Sequence, residues 1–320
     1  MKIVVLERHS VGIDISVDGF YDLGDVTVYD NTLDEELVKE RIKDAEIIIA
    51  NKAPLNARTI PCAPNLKLIC ELATGFDNVD IEYCKAHDIL VANVRNYSTD
   101  AVAQHTFALL FYVQEKLRHY DEYVKGGEYA SQGRFSNFDK AFTELAGKTW
   151  GIIGMGNIGK KVAQIATAFG CKVIFHSVTG KSNVTEYEQV SFDELLQRSD
   201  VLSIHCPLSD ITRGLINLDA LKKMKSTAYL INVARGPVVV DEDLAVALNE
   251  NIIAGAGLDV TGTEPMKESN PLSKIMDSSK LFITPHLAWA SVEARTRCVQ
   301  GVIDNINAFK KGERKNIIWE

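Results

Sequence analysis

Trp150-Gly151-Ile152-Ile153-Gly154-Met155-Gly156-Asn157-Ile158-Gly159 decides the fold. A short apolar strand runs into Gly-x-Gly-x-x-Gly, and residues 160–169 continue at helical spacing. In such a unit Gly154 permits the tight turn, Gly156 lets backbone approach a pyrophosphate, and Gly159 lets the helix pack closely on the strand. The helix start, at Asn157 and Ile158, offers unbonded N–H groups and partial positive charge to phosphates. The glycine pattern alone also occurs in turns without ligands. Here the strand before it, the helix after it and a further strand at 172–175 stand where a dinucleotide-binding unit needs them.

The end of that further strand normally carries an acid for the adenosine ribose 2′-OH. This chain has Ser177 there, in His176-Ser177-Val178-Thr179-Gly180-Lys181, and no carboxylate before Glu186. Without the acid a 2′-phosphate is not repelled. Ser177 and Thr179 can donate hydrogen bonds to it, and Lys181 can supply charge. NADP tolerance and an NAD site with a weaker polar contact both fit.

Outward from this stretch, short apolar runs alternate with helical spacing. Before it, runs at 3–6, 26–29, 47–50, 66–70 and 89–92 frame helical stretches such as 33–43 and 80–87. After it, runs at 172–175, 201–204, 228–232, 252–258 and 281–284 complete a six-strand set with 150–153. Continuous apolar strands separated by helices predict parallel sheets covered on both faces. A long helix is expected over 98–125, ending at Gly126-Gly127, then a polar, aromatic-bearing connector to Leu145. An amphipathic helix is expected over 292–310.

The chain has 320 residues, 46% hydrophobic and 24% charged, with a formal net charge of −8. That length suits two domains, and the composition is that of an ordered protein. The acidic balance disfavours nucleic acid and anionic membrane as partners. No apolar run approaches the ~18 residues of a span. Residues 1–7 read as a strand from the start, so no signal peptide and a cytoplasmic location are expected. Cys62, Cys70, Cys84, Cys171, Cys206 and Cys298 form no C-x-x-C and no metal spacing with His. They read as buried apolar residues of a reduced protein, with no metal.

Three polar positions follow strand ends downstream: Asn232-Val233-Ala234-Arg235-Gly236, Gly257-Leu258-Asp259-Val260 with Glu264-Pro265 beyond, and Ile283-Thr284-Pro285-His286. Ligands bind at the carboxyl ends of parallel strands. The His can shuttle a proton near neutral pH, the Glu can orient its ring and favour its charged form, and the Arg can hold a carboxylate or polarise a carbonyl. Singly, a strand-end Arg is more often a surface ion pair and a Pro-His more often structural. Together, beside a nicotinamide, they suit carbonyl/alcohol redox.

With Leu145-Ala146-Gly147-Lys148, His205-Cys206-Pro207-Leu208 and Thr284–Trp289 added, the chain resembles the D-isomer-specific 2-hydroxyacid dehydrogenases along nearly its whole length. Within them it is most similar to the glycerate/hydroxypyruvate enzymes. The resemblance implies an α/β protein of two Rossmann-like domains. A flavodoxin-like substrate domain would take residues 1–99 and 288–320, and a doubly wound NAD(P)-binding domain residues 100–287. It implies His286 as general acid/base, Glu264 as its partner and Arg235 as the substrate-binding, polarising residue. Ala73, Thr74 and Gly75 would hold the substrate carboxylate, assisted by Asn51 and Lys52. Asp259 would hold the nicotinamide carboxamide. Thr106, His205, Cys206, Pro207, Val233, Ala234 and Ala288 would line the cofactor. A homodimer is implied, reached through the long helix and the connector. The substrate expected is D-glycerate/hydroxypyruvate or glyoxylate. A D-lactate-type 2-ketoacid reductase is the near rival, and a non-catalytic NAD(H)-sensing corepressor-like protein the distant one. A methyltransferase has no use for a His–Glu pair.

Overall fold

A computed structural model describes residues 1–319. The chain divides into two compact units, one of Met1–Ser98 with the stretch from Ala290 onward, the other of Thr99–Trp289. The junctions lie one and two residues from the expected 99/100 and 287/288.

The first unit has strands β1 (Lys2–Val5), β2 (Asp25–Val28), β3 (Ile47–Ala50), β4 (Leu68–Glu71) and β5 (Leu90–Ala92). They form one parallel sheet in the order β2-β1-β3-β4-β5. Ile47, Ile48 and Ile49 are fully buried, as a strand covered on both faces requires. Helices α1 (Glu35–Arg41) and α2 (Ile81–Ala86) start at Asp34 and Asp80, whose carboxylates accept N–H groups of the first turn.

In the second unit α3 (Thr99–Gln114), α4 (Leu117–Lys125) and α5 (Glu128–Ser131) precede the sheet. The single helix expected over 98–125 is therefore two. Lys116 takes a left-handed conformation (φ 55°), which turns the chain between α3 and α4, and its Nζ donates to the Ser279 carbonyl. The strands are β6 (Thr149–Ile153), β7 (Lys172–His176), β8 (Glu188–Gln189), β9 (Val201–Ile204), β10 (Tyr229–Asn232), β11 (Gly255–Leu258) and β12 (Leu281–Ile283). The order β12-β11-β10-β9-β6-β7-β8, parallel throughout, exceeds the expected six by one. The extra strand, β8, is two exposed polar residues at the edge and carries no apolar run to read. Helices α6 (Asn157–Ala168), α7 (Phe192–Arg198), α8 (Leu218–Lys223) and α9 (Asp241–Asn249) alternate with the strands. Strand order reverses at β6/β9, the switch point where doubly wound sheets bind ligands.

After Trp289 the chain returns to the first unit. There α10 (Val292–Lys310) sends Arg295 to both Asp14 carboxylate oxygens, at 2.6 and 2.8 Å. Asn305, buried on the same helix, donates to the Asn93 carbonyl. Among the described residues five cysteines are buried, Cys62 is half-buried, and none is bonded to another.

Candidate active site

The glycine turn is built as its sequence requires. Gly154 has φ 92°, and a Cβ there would sit 2.7 Å from the Cys206 nitrogen. Only glycine lets β6 end against the 205–206 turn. A Cβ at Gly159 would meet the Gly154 carbonyl at 2.2 Å, so α6 starts tightly against the loop. At Gly156 a Cβ would meet nothing within 4 Å. Protein packing does not demand glycine there, whereas close approach of a ligand does. Gly156 caps α6, with Asn157 and Ile158 its first residues. These residues fit a pyrophosphate on the helix N-terminus.

At the end of β7, Ser177 and Thr179 donate to the Lys181 carbonyl at 2.9 and 3.5 Å, closing a turn through Gly180. On the other side of the loop His205 is held neutral. Burial pushes its imidazole down to about 3. Its Nε2 pairs with Ser203 Oγ at 3.0 Å, and that oxygen accepts the Trp150 indole N–H. Burial also pushes the Cys206 thiol up to about 11, so it is no nucleophile at neutral pH. Pro207 is exposed.

Arg235, Glu264 and His286 follow the carboxyl ends of β10, β11 and β12. Asn232 shapes the first turn, accepting from the Ala234 N–H and donating to the Arg235 carbonyl, both at 3.0 Å. Val233 is buried and Ala234 and Arg235 are half-buried in that turn. Arg235 Nη1 also donates to the Ala234 carbonyl. A Cβ at Gly236 would fall 1.7 Å from the Thr261 carbonyl oxygen, so this turn rests on the loop that carries Glu264. Glu264 Oε1 accepts the Thr261 N–H, and Oε2 meets His286 Nδ1 at 2.9 Å. His286 has a positive φ of 54°, with its N–H on the Asp259 carbonyl and its own carbonyl accepting the Trp289 indole.

Asp259, 1% exposed, accepts Thr284 Oγ1 at 2.6 Å and the Leu287 and Ala288 N–H groups at 2.9 and 2.8 Å. Its carboxylate thus folds the turn that presents His286. His105 Nε2 joins through Thr284 Oγ1 at 2.9 Å, and burial holds that imidazole below its ordinary range. In the sequence Thr284 and Trp289 stand only within a motif and His105 has no role, because only folding brings α3 beside β12. Thr106 is fully buried, and its hydroxyl donates to the Val102 carbonyl on its own helix. Ala288 is buried in the same core.

In the first unit Ala73, Thr74 and Gly75 follow β4. The Ala73 carbonyl accepts the Val94 N–H, the Thr74 carbonyl accepts Asn93 Nδ2, and Thr74 Oγ1 donates to the Val94 carbonyl. Asn51 and Lys52 follow β3, with their backbone N–H groups on the Glu7 carboxylate.

Fold and site together define a two-unit dinucleotide-binding oxidoreductase with a His–Glu pair after its last two strands. Residues 107–288 match the family described as D-isomer specific 2-hydroxyacid dehydrogenase, NAD binding domain. A hydroxypyruvate reductase of Blautia hydrogenotrophica is 39% identical, covering 99% of both chains. A glycerate dehydrogenase of Methylorubrum extorquens is 38% identical over 99% of this chain and 98% of its own. Among solved structures, an acyclic imino acid reductase in complex with NADPH and D-Arg matches with TM-score 0.89 at 31% identity, over 99% of this chain and 100% of that one. A D-lactate dehydrogenase from Aquifex aeolicus, complexed with NAD and lactic acid, matches with TM-score 0.85 at 30%, over 98% and 96%. The chain belongs to the D-isomer specific 2-hydroxyacid dehydrogenases. It is an NAD(P)-dependent enzyme acting on CH–OH donors.

Proposed function

We propose that the chain is a hydroxypyruvate/glyoxylate reductase, interconverting a small 2-oxo acid and its D-2-hydroxy acid. The observation that carries the chemistry is the 2.9 Å pair between His286 Nδ1 and Glu264 Oε2, beside Arg235 on one sheet edge. The whole-length relatives named for hydroxypyruvate and glycerate carry the substrate. A bound reduced nicotinamide supplies the hydride. With Nδ1 engaged by Glu264, Nε2 of His286 is the atom that gives its proton to the substrate carbonyl oxygen. Arg235 holds and polarises the 2-oxo acid. Asp259, which the resemblance implies for the nicotinamide carboxamide, has its carboxylate on Thr284, Leu287 and Ala288 and orients His286 through the 284–288 turn. Asn51, Lys52, Ala73, Thr74 and Gly75 take the substrate carboxylate. Gly154, Gly156, Asn157, Ile158 and Gly159 take the pyrophosphate. Val233, Ala234, Ala288, Thr106 and residues 205–207 line the rest of the cofactor, and the 177–181 turn meets its ribose. The cofactor is NAD or NADP.

The test is absorbance of reduced nicotinamide with hydroxypyruvate and glyoxylate, NADH and NADPH in parallel. His286→Ala should lower kcat by at least about a hundredfold while cofactor binding persists. Wild-type activity in that variant overturns the assignment. Turnover of pyruvate in preference to both acids selects the D-lactate-type reading.

A second copy of the chain is the proposed partner. Leu117, Val124, Tyr129, Phe135, Phe138 and Phe142 are exposed apolar residues along 117–142, and no residue of α4 is buried. Exposed apolar side chains concentrated in one segment are what a second copy would cover. Among the described residues no helix is long and apolar enough to cross a membrane.

A further inference from the structure

Two buried acids lie at the carboxyl ends of β1 and β4, and the chemistry above uses neither. Glu7, two residues past β1, is 3% exposed and accepts the N–H groups of Asn51, Lys52 and Ala53 at 2.8–2.9 Å. Glu71, the last residue of β4, is fully buried. Its Oε1 accepts Asn78 Nδ2 at 3.2 Å, and Oε2 has no partner among the described residues. Asn78 Nδ2 donates also to the Ala53 carbonyl at 3.0 Å. One amide therefore ties the loop after β3 to the loop after β4.

The charged groups that act on Glu71 are Glu7 from the end of β1, Lys52 from the loop after β3 and Asp77 from its own loop. Cys70 beside it and Cys298 on α10 are buried thiols, both pushed up by burial. Burial pushes the Glu71 carboxyl up to about 8. The Asn78 hydrogen bond opposes the rise, Glu7 adds to it, Lys52 opposes it and Asp77 adds to it.

We propose that Glu71 is a positioning residue that supports substrate binding as a neutral carboxylic acid, and that its ionisation loosens the hold of the 51–53 and 73–75 loops on a substrate carboxylate. The inference rests on those loops being the carboxylate site. An ionised Glu71 sets a second buried negative charge beside Glu7. It also draws the Lys52 ammonium and opposes an anion bound above the same loops.

The test compares the wild type with Glu71→Gln, which keeps shape and an acceptor for Asn78 but cannot ionise. Hydroxypyruvate reduction is followed at saturating reduced cofactor from about pH 6.5 to about pH 9.5. The ratio of wild-type to variant KM should grow from near unity to about tenfold, with kcat ratios within about twofold. The rest of the site is common to both proteins and cancels in the ratio. A pH-independent KM ratio, or an effect confined to kcat, overturns the proposal.

A melting measurement reads Glu71 without any substrate. A carboxyl that ionises near 4.5 unfolded and near 8 folded removes stability as pH rises between those values. The Tm advantage of Glu71→Gln should therefore widen from about pH 5.5 to about pH 8.5. A constant difference overturns the buried acid. If the variant does not fold, infrared spectra of the wild type must show a protonated carboxyl lost on alkaline titration, and absence of that band overturns it too. A widening Tm difference in an enzyme that turns over no 2-oxo acid overturns the functional reading, and the substrate role with it.

Discussion

His286 sits in a backbone conformation that costs a non-glycine residue energy, and its neighbours are built to hold it there. Its N–H, its carbonyl and its Nδ1 are each bonded, to the Asp259 carbonyl, the Trp289 indole and Glu264. Arg235, Glu264 and His286 were legible because each follows a strand end in a short motif. Their supports were not, because Asp259–Thr284–His105 joins β11, β12 and α3. His205 is the residue whose charge state folding decides. The unfolded chain takes up a proton below about 6.5 that the folded one refuses until about 3. Stability should then fall as pH drops, by about 2 kcal/mol at pH 5 from this group. His205→Gln should lose less Tm than the wild type between about pH 7 and about pH 5. Equal losses would show that the imidazole already reaches water.

At the scale of elements, the site depends on loops packed too closely for side chains. The turn after β10 touches the loop after β11 at Gly236, where a Cβ would lie 1.7 Å from the Thr261 carbonyl oxygen. Gly236→Ala must part the two turns that carry Arg235 and Glu264. The expected outcome is a loss of at least about tenfold in kcat/KM, since small misplacements of reacting groups are costly. Cofactor affinity should fall less than kcat/KM, because Val233 and Ala234 of that turn line only part of the cofactor and Gly154–Gly159 lies elsewhere on the sheet. Steady-state kinetics beside cofactor titration checks both, and unchanged kinetics would mean that the turns move freely. The break between α3 and α4 belongs to this scale too. Residues 98–125 keep helical spacing throughout, so the pattern carries no stop at Lys116. The turn there is a left-handed Lys116, whose side chain then reaches the Ser279 carbonyl.

For the whole molecule, the outstanding surface is 117–142. Phe135 is 94% exposed and Phe138 84%. Changing both to Ser should shift the protein from dimer to monomer in sedimentation, with Tm extrapolated to low concentration unchanged, because neither ring is buried in the single chain. A wild type that sediments as a monomer overturns the dimer.

The sequence by itself determined the alternation of strands and helices, the dinucleotide turn and the strand-end positions of Arg235, Glu264 and His286. These are local signals: a period, a glycine spacing, a polar residue after an apolar run. Tertiary structure alone decided the break at Lys116, the edge strand β8, the bracing of His286 by Asp259 and Trp289, and the burial of Glu7 and Glu71. Each of these depends on which distant segments meet. An acid reads the same in a sequence whether water or a packed sheet end surrounds it, and its surroundings set its charge.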